Sequence, residues 1–245
     1  MSMPEAGLWL ESPAGRYLFE WECARVDHVV ADIFGFNAVQ VGLPGFDFLR
    51  DNRMPRRMRC DAGLAQNLSL RCQPWALPFA SASIDLVVLP HVLEFSAHPH
   101  QVLREVERVL VPEGSVVIAG LNPLSLWGLR RLAARRTGAM PWQGQYLSVR
   151  RLKDWLALLG METQTAGFGC YAPPMRDEKW LRRLAFMDRA GSRWWAYAGG
   201  AYVIQAVKRV QGMRLIMPNW RDRRATSKAL TPVVQRHQKE NAKRE

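Results

Sequence analysis

At 245 residues with 48% apolar content, the chain is long enough for one sizeable α/β domain with a buried core and some appendages. Its longest apolar runs, LVVLPHVLEF and SVVIAGL, are broken well short of the roughly 20 residues a bilayer-spanning helix needs. An excess of 34 basic over 22 acidic residues, net +12, leaves nucleic acid, anionic lipid and acidic proteins open as partners.

The N-terminal stretch MSMPEAGLWLESPAGRYLFEWE lacks a basic start followed by an apolar core, so the sequence predicts no secretory signal and a cytoplasmic protein. From about Gly15 to Phe34, apolar residues at Tyr17, Leu18, Trp21, Val26, Val29, Val30 and Ile33 keep helical spacing and predict a helical preface over residues 1–35. NAVQVG then reads as a first strand, RRMRCDA as a weak second and NLSLRCQP as a third. Ile84 to Leu89 is an almost continuous apolar run, as in a central parallel strand covered on both faces. Val102, Leu103, Val106, Val109 and Leu110 form the stripe of an amphipathic helix that Pro112 and Gly114 stop, and SVVIAGL is another buried strand. Strand, helix and strand joined by short connections make a βαβ unit, whose right-handed crossover sets the strands parallel. Beyond it, SVRRLKDWLALLGME reads as a helix capped at Ser148, and Ala201 to Arg209 as a strand pairing antiparallel with METQTAGFGC.

The expected fold class is therefore α/β, with a doubly wound, mostly parallel, seven-stranded Rossmann-like sheet and an antiparallel edge. It occupies residues 36–210 and is followed by a basic, flexible tail at 211–245. The charge is concentrated in two places. Arg209 to Glu245 holds ten Lys/Arg against three acids, net +7, and GLRRLAARRTG adds four arginines, Arg130 to Arg136, with no acid. Either stretch reads as a docking site for nucleic acid or an acidic partner, or as a solvated face. The four cysteines show neither CxxC pairing nor zinc-ligand spacing and read as free thiols. His98 and His100 read as a helix entry, and no metal site is expected.

The stretch LPFASASIDLVVLPHVLEFSAHPHQVLREVERVLVPEGSVVIAG resembles the middle of a class I S-adenosylmethionine-dependent methyltransferase of the type 11-like group. Leu77-Pro78-Phe79, Asp85 and Arg108-Val109-Leu110-Val111-Pro112-Glu113-Gly114 follow that group's order and spacing, with Glu113 in place of the first loop glycine. The resemblance implies S-adenosylmethionine as cofactor and a crevice beyond the first and fourth strands, where the strand order reverses.

It further implies site residues. In the family's glycine-rich loop Gln40 takes the place of an acid and Gly42 that of the first glycine, while Pro44 and Phe46 stand at the other two and Gly45 lies one position off. Asp61 aligns with the acid that holds the ribose, or is a turn aspartate. Gln73 aligns with the residue that reads the adenine amino group, and its carbonyl oxygen can accept that bond. Trp75 flanks the base or packs in the core, with the core favoured. Pro90 and His91 follow the fourth strand. His91 is the candidate general base for an O- or N-nucleophile, since its ordinary pKa lies near working pH, or else it bonds backbone at a strand end. Glu94 pairs with the cofactor's ammonium or sits exposed on a helix. Asn122 and Trp127 are candidates for the pocket rim.

Methyl transfer from a sulfonium needs alignment and water exclusion more than a catalytic triad. The implied function is methylation of an unidentified acceptor. The alternative is a non-catalytic protein of the same fold, acting through partner or nucleic-acid binding.

Overall fold

The computed structural model describes residues 9–63, 67–134, 142–175 and 177–210. The chain divides into two units, Met1–Val210 and Gln211–Glu245, and the second lies outside the described residues, as do Arg135 and Arg136 of the arginine patch.

Seven strands form one sheet: β1 (Asn37–Val41), β2 (Arg56–Asp61), β3 (Leu70–Arg71), β4 (Ile84–Pro90), β5 (Leu110–Leu121), β6 (Met161–Gly169) and β7 (Ala201–Lys208). Their spatial order is β3-β2-β1-β4-β5-β7-β6, with β7 antiparallel to both neighbours and the pairs from β3 to β5 parallel. The one antiparallel strand thus lies a position in from the edge, and β6 forms the edge itself. The helices are α1 (Pro13–Val30), α2 (Val92–Phe95), α3 (Pro99–Val109), α4 (Leu126–Ala134), α5 (Val149–Leu158), α6 (Glu178–Leu184) and α7 (Phe186–Trp194), with a short turn of 3₁₀-helix at Ala196–Ala198.

The two-residue period of the strands divides the core. Ala38, Leu86, Val88, Val117, Ala119 and Val203 face one side, where Leu18, Val26 and Val30 of α1 cover them. Val39, Val87, Leu89, Val116 and Ile118 face the other, against Val102, Val106 and Val109 of α3 and Leu152 and Leu156 of α5. Helix α1 begins where Ser12 Oγ accepts from the Gly15 amide at 3.1 Å and Pro13 supplies a preset φ. It lies so close to β6 that a Cβ on Gly169 would stand 2.0 Å from the Trp21 ring. The capping expected at Ser148 is present, its Oγ accepting from the Arg151 amide.

The motif residues Asp85 and Arg108, together with Glu105, turn out to hold backbone. Asp85 Oδ2 accepts from the amides of Phe36 and Asn37 at 3.0 and 2.9 Å, fixing the entry to β1. Arg108 Nη2 donates to the carbonyls of Leu77 and Phe79 at 3.1 and 2.9 Å and to Glu105 at 2.7 Å, while Glu105 Oε1 accepts from the Leu77 amide. The LPF turn is thus tied to α3 by one arginine and one glutamate.

Candidate cofactor site

The strand order reverses between β1 and β4, so a crevice opens beyond the C-terminal ends of the parallel strands. A cavity of about 620 Å³ lies beyond the ends of β2, β3 and β4, within the ~300–1,000 Å³ typical of small-molecule sites, and none of Gly42, Gly45, Pro90 and His91 is among its lining residues. Asp61, Gly63, Gln73, Trp75, Glu94 and Gln145 are among its lining residues. Of the residues predicted from sequence, the structure brings Asp61 and Gln73 together on this wall. Asp61 is buried, and its Oδ2 takes the Gly63 amide at 3.0 Å. Trp75 lines the cavity half-exposed instead of packing in the core, because β3 is only two residues long and the chain after it stays at the surface.

The loop after β1 is built around Gln40, whose side chain is wholly buried. Its Nε2 lies 3.0, 3.1 and 2.8 Å from the carbonyl oxygens of Gly42, Leu43 and Phe46, and its Oε1 accepts from the Phe48 amide at 3.0 Å. A carboxylate has no donor and could not hold three carbonyls, so this loop needs an amide where the family has an acid. Gly42 is at φ 87°, a conformation that suits glycine, and Leu43 follows at φ 46°. Gly45 is exposed, with no atom within 4 Å of an added Cβ, so no neighbour in the chain demands a glycine there. Phe46 turns away to pack on Phe19 of α1 at 4.4 Å between ring centres. Neither Phe46 nor the buried Pro44 is among the residues lining the cavity.

Pro90 is buried at the end of β4, and His91 follows in the left-handed region at φ 56°. Both ring nitrogens of His91 are engaged: Nδ1 with Glu94 Oε2 at 3.0 Å and Nε2 with Glu22 Oε2 of α1 at 2.9 Å. Burial pulls the His91 pKa down, but the two carboxylates more than reverse this and raise it well above 6.5. Burial likewise raises the Glu22 pKa, against the lowering effect of His91. Glu94, far from exposed, is buried, and its Oε1 also accepts from the Leu121 amide. His91 is thus a charged bridge between α1 and the end of β4, and only Glu94 of the three faces the cavity.

Asn122 and Trp127 are not a pocket rim. Asn122 is buried and donates to the carbonyls of Tyr197 and Gly199, while Trp127 is fully buried and donates to Ala172 at 2.9 Å. Sequence reasoning missed Glu22, although the signal was there: it sits four residues from both Leu18 and Val26, on the apolar stripe of α1. The described arginines of the patch are half-buried and stacked, Arg130 on Trp142 and Arg131 on Tyr146.

The family pattern described as "Methyltransferase domain" matches residues 52–118. An uncharacterized protein, YafS, from Escherichia coli K12 is 35% identical over 128 residues, which is 48% of this chain and 53% of YafS. The match therefore spans about half the length of that curated relative. Among solved structures, the Haloferax volcanii protein in complex with the Trm112 methyltransferase activator aligns with TM-score 0.59 and 15% identity, over 86% of this chain and 99% of its own. A Thermotoga maritima S-adenosylmethionine-dependent methyltransferase aligns with TM-score 0.56 and 15% identity, over 79% and 97%. The chain has the fold of the class I S-adenosylmethionine-dependent methyltransferases, and its resemblance to them rests on the matched segment together with the order of all seven strands.

Proposed function

We propose that the protein binds S-adenosylmethionine in the cavity beside Asp61 and Gln73 and transfers its methyl group to an acceptor. The observation that supports this best is the meeting of a buried carboxylate, Asp61, and a carboxamide, Gln73, in one cavity beyond the ends of β2, β3 and β4. Asp61 has an oxygen free to accept from ribose hydroxyls, and Gln73 can accept from the adenine amino group. Glu94, buried against the same cavity, presents negative charge toward the cationic methionine end. The cofactor, when bound, supplies an activated methyl on a sulfonium. The chain's part is to bind and orient it and to exclude water, and with both His91 nitrogens engaged this histidine acts by holding Glu94 in place.

Calorimetric titration of the full chain with S-adenosylmethionine and S-adenosylhomocysteine tests the reading. We expect micromolar binding, weakened about tenfold or more by Asp61→Ala, since a hydrogen bond to a charged group contributes roughly 1.5–3 kcal/mol. No heat and no thermal shift at millimolar ligand would reject it. That result would favour a non-catalytic protein of this fold acting through a partner, a reading to which Pro44 and the fully committed Gln40 side chain lend support.

A further inference from the structure

Strand β2 carries a row of arginines on one face. Its register pairs Ala38 with Arg57 and Gln40 with Arg59, and β3 pairs Arg71 with Asp61. Paired residues of a parallel ladder share a face, as do alternate residues of one strand, so Arg57, Arg59, Asp61 and Arg71 all lie on the same side of the sheet. Alternate residues stand about 6.6 Å apart along a strand. The row therefore runs up β2 and ends at Asp61 and Arg71, both of which line the Asp61 cavity.

These cations have no acid to neutralise them. From Arg53 to Arg71 five arginines stand against one acid, the buried Asp61, and none of the five forms an ion pair among the described residues. Arg50, Arg108, Arg182 and Arg209, by contrast, each face a carboxylate. Arg57 and Arg71 are exposed and Arg59 is half-buried. Arg57 Nη1 donates to the carbonyls of Leu49 and Arg50, both at 3.2 Å, and Arg71 Nε to that of Ala62 at 2.9 Å. Each bond steadies a guanidinium while using only part of its five N–H donors.

An exposed ring completes the surface. Trp75 lines the same cavity as Arg71 and is 45% exposed. A basic track beside an open indole is the combination that binds single strands, because the cations hold successive phosphates and the ring takes the face of a base. An acidic polypeptide would satisfy the arginines but offers no base to the indole. A duplex keeps its base faces stacked inside.

We propose that the β2–β3 arginine face and Trp75 bind a single strand of nucleic acid, its phosphates along Arg57, Arg59 and Arg71 and one base stacked on Trp75. The inference rests on this surface and does not depend on methyl transfer.

Fluorescence anisotropy of the full chain, without cofactor, tests it with a labelled single-stranded oligoribonucleotide, its DNA counterpart and a duplex of the same sequence. We expect the two single strands to bind alike and the duplex about tenfold more weakly. Affinity for a single strand falls with salt by a logarithmic slope of about 0.7 per phosphate contact, so Arg59→Gln combined with Arg71→Gln should lower the slope by about 1.4. Arg59→Lys keeps the charge and should keep its share of the slope. Trp75→Ala should weaken binding about tenfold and leave the slope unchanged. Arg182→Gln with Arg183→Gln, on α6, should alter neither. Absence of binding at low salt would overturn the proposal. Binding indifferent to the β2–β3 substitutions would also overturn it and assign the strand to the basic residues after 210. Displacement of the strand by polyglutamate, with Trp75→Ala without effect, would overturn it in favour of an acidic protein.

Discussion

Two side chains each organise a turn of backbone, and they differ in how they relate to the family's letters. Arg108 stands where the resemblance expects an arginine, and it ties Leu77 and Phe79 to α3. Gln40 stands where an acid is expected, and it ties Gly42, Leu43, Phe46 and Phe48 into the loop after β1. A matching letter therefore reports fold more than chemistry, and a departing letter need not mark decay. The loop closes around an amide because it offers three carbonyls and one N–H, a set that only a group with both donor and acceptor can satisfy.

The sharpest way to break this comparison is to restore the family's letter. Gln40→Glu is isosteric, yet it would bury a carboxylate against three carbonyl oxygens. We expect a loss of roughly 3 kcal/mol, in the range for an uncompensated buried charge, read from urea unfolding. Unchanged stability would show that the loop accepts the acid and that its bonding has been misassigned. Arg108→Ala removes a side chain that is about a third exposed, 37%, so water can replace part of what it holds. Its expected loss is smaller, about 1–2 kcal/mol, with little change in cofactor affinity, because the turn it ties is not among the residues lining the cavity.

The second contrast concerns pH. Folding raises the pKa of both His91 and Glu22, so the folded state binds more protons than the unfolded one. The stabilisation from His91 is complete below its unfolded value of 6.5 and is lost as pH rises through the higher folded value. The proton held by Glu22 acts in the same direction, starting from 4.5. Unfolding free energy should therefore fall as pH rises above about 6.5, by up to about 1.4 kcal/mol per unit for each proton released. Glu22→Gln keeps the shape while removing the acid that raises His91, and should flatten that slope. An equal slope in both proteins would mean that the bridge between α1 and β4 does not titrate in this window.

Most of the sheet was legible because its central strands are buried on both faces and α3 carries an unbroken stripe from Val102 to Val109. Helices α4, α6 and α7 were not. α6 and α7 each bury only one residue, Leu181 and Gly191, so neither has an apolar stripe to read. α4 was read as charge alone, although its leucines point outward in the same turns as its arginines. Asp61 and Gln73, expected from the resemblance, line one cavity because the end of β2 and the segment after β3 come together there. The Glu22–His91–Glu94 bridge was hidden because it joins residues 69 positions apart, and no local spacing reports such a pair.

The smallest expected effect tests whether the remaining departure, Glu113, is adapted in the way Gln40 is. Glu113 holds φ at 63° in the irregular stretch of β5 between Leu110 and Ser115, a conformation that disfavours a side chain by roughly 1–2 kcal/mol. Its carboxylate pairs with Arg209, but the contact is at the surface, and Arg209 also bonds Glu162 at 2.8 Å. A surface pair whose cation keeps a second acid contributes little. Glu113→Gly should therefore raise stability by about 1 kcal/mol, seen as a melting temperature about 2–4 °C higher. If the melting temperature falls instead, the pair with Arg209 fastens the outer ends of β5 and β7, and Glu113, like Gln40, is matched to its surroundings. A rise would leave Gln40 as the departure whose bonding makes it necessary.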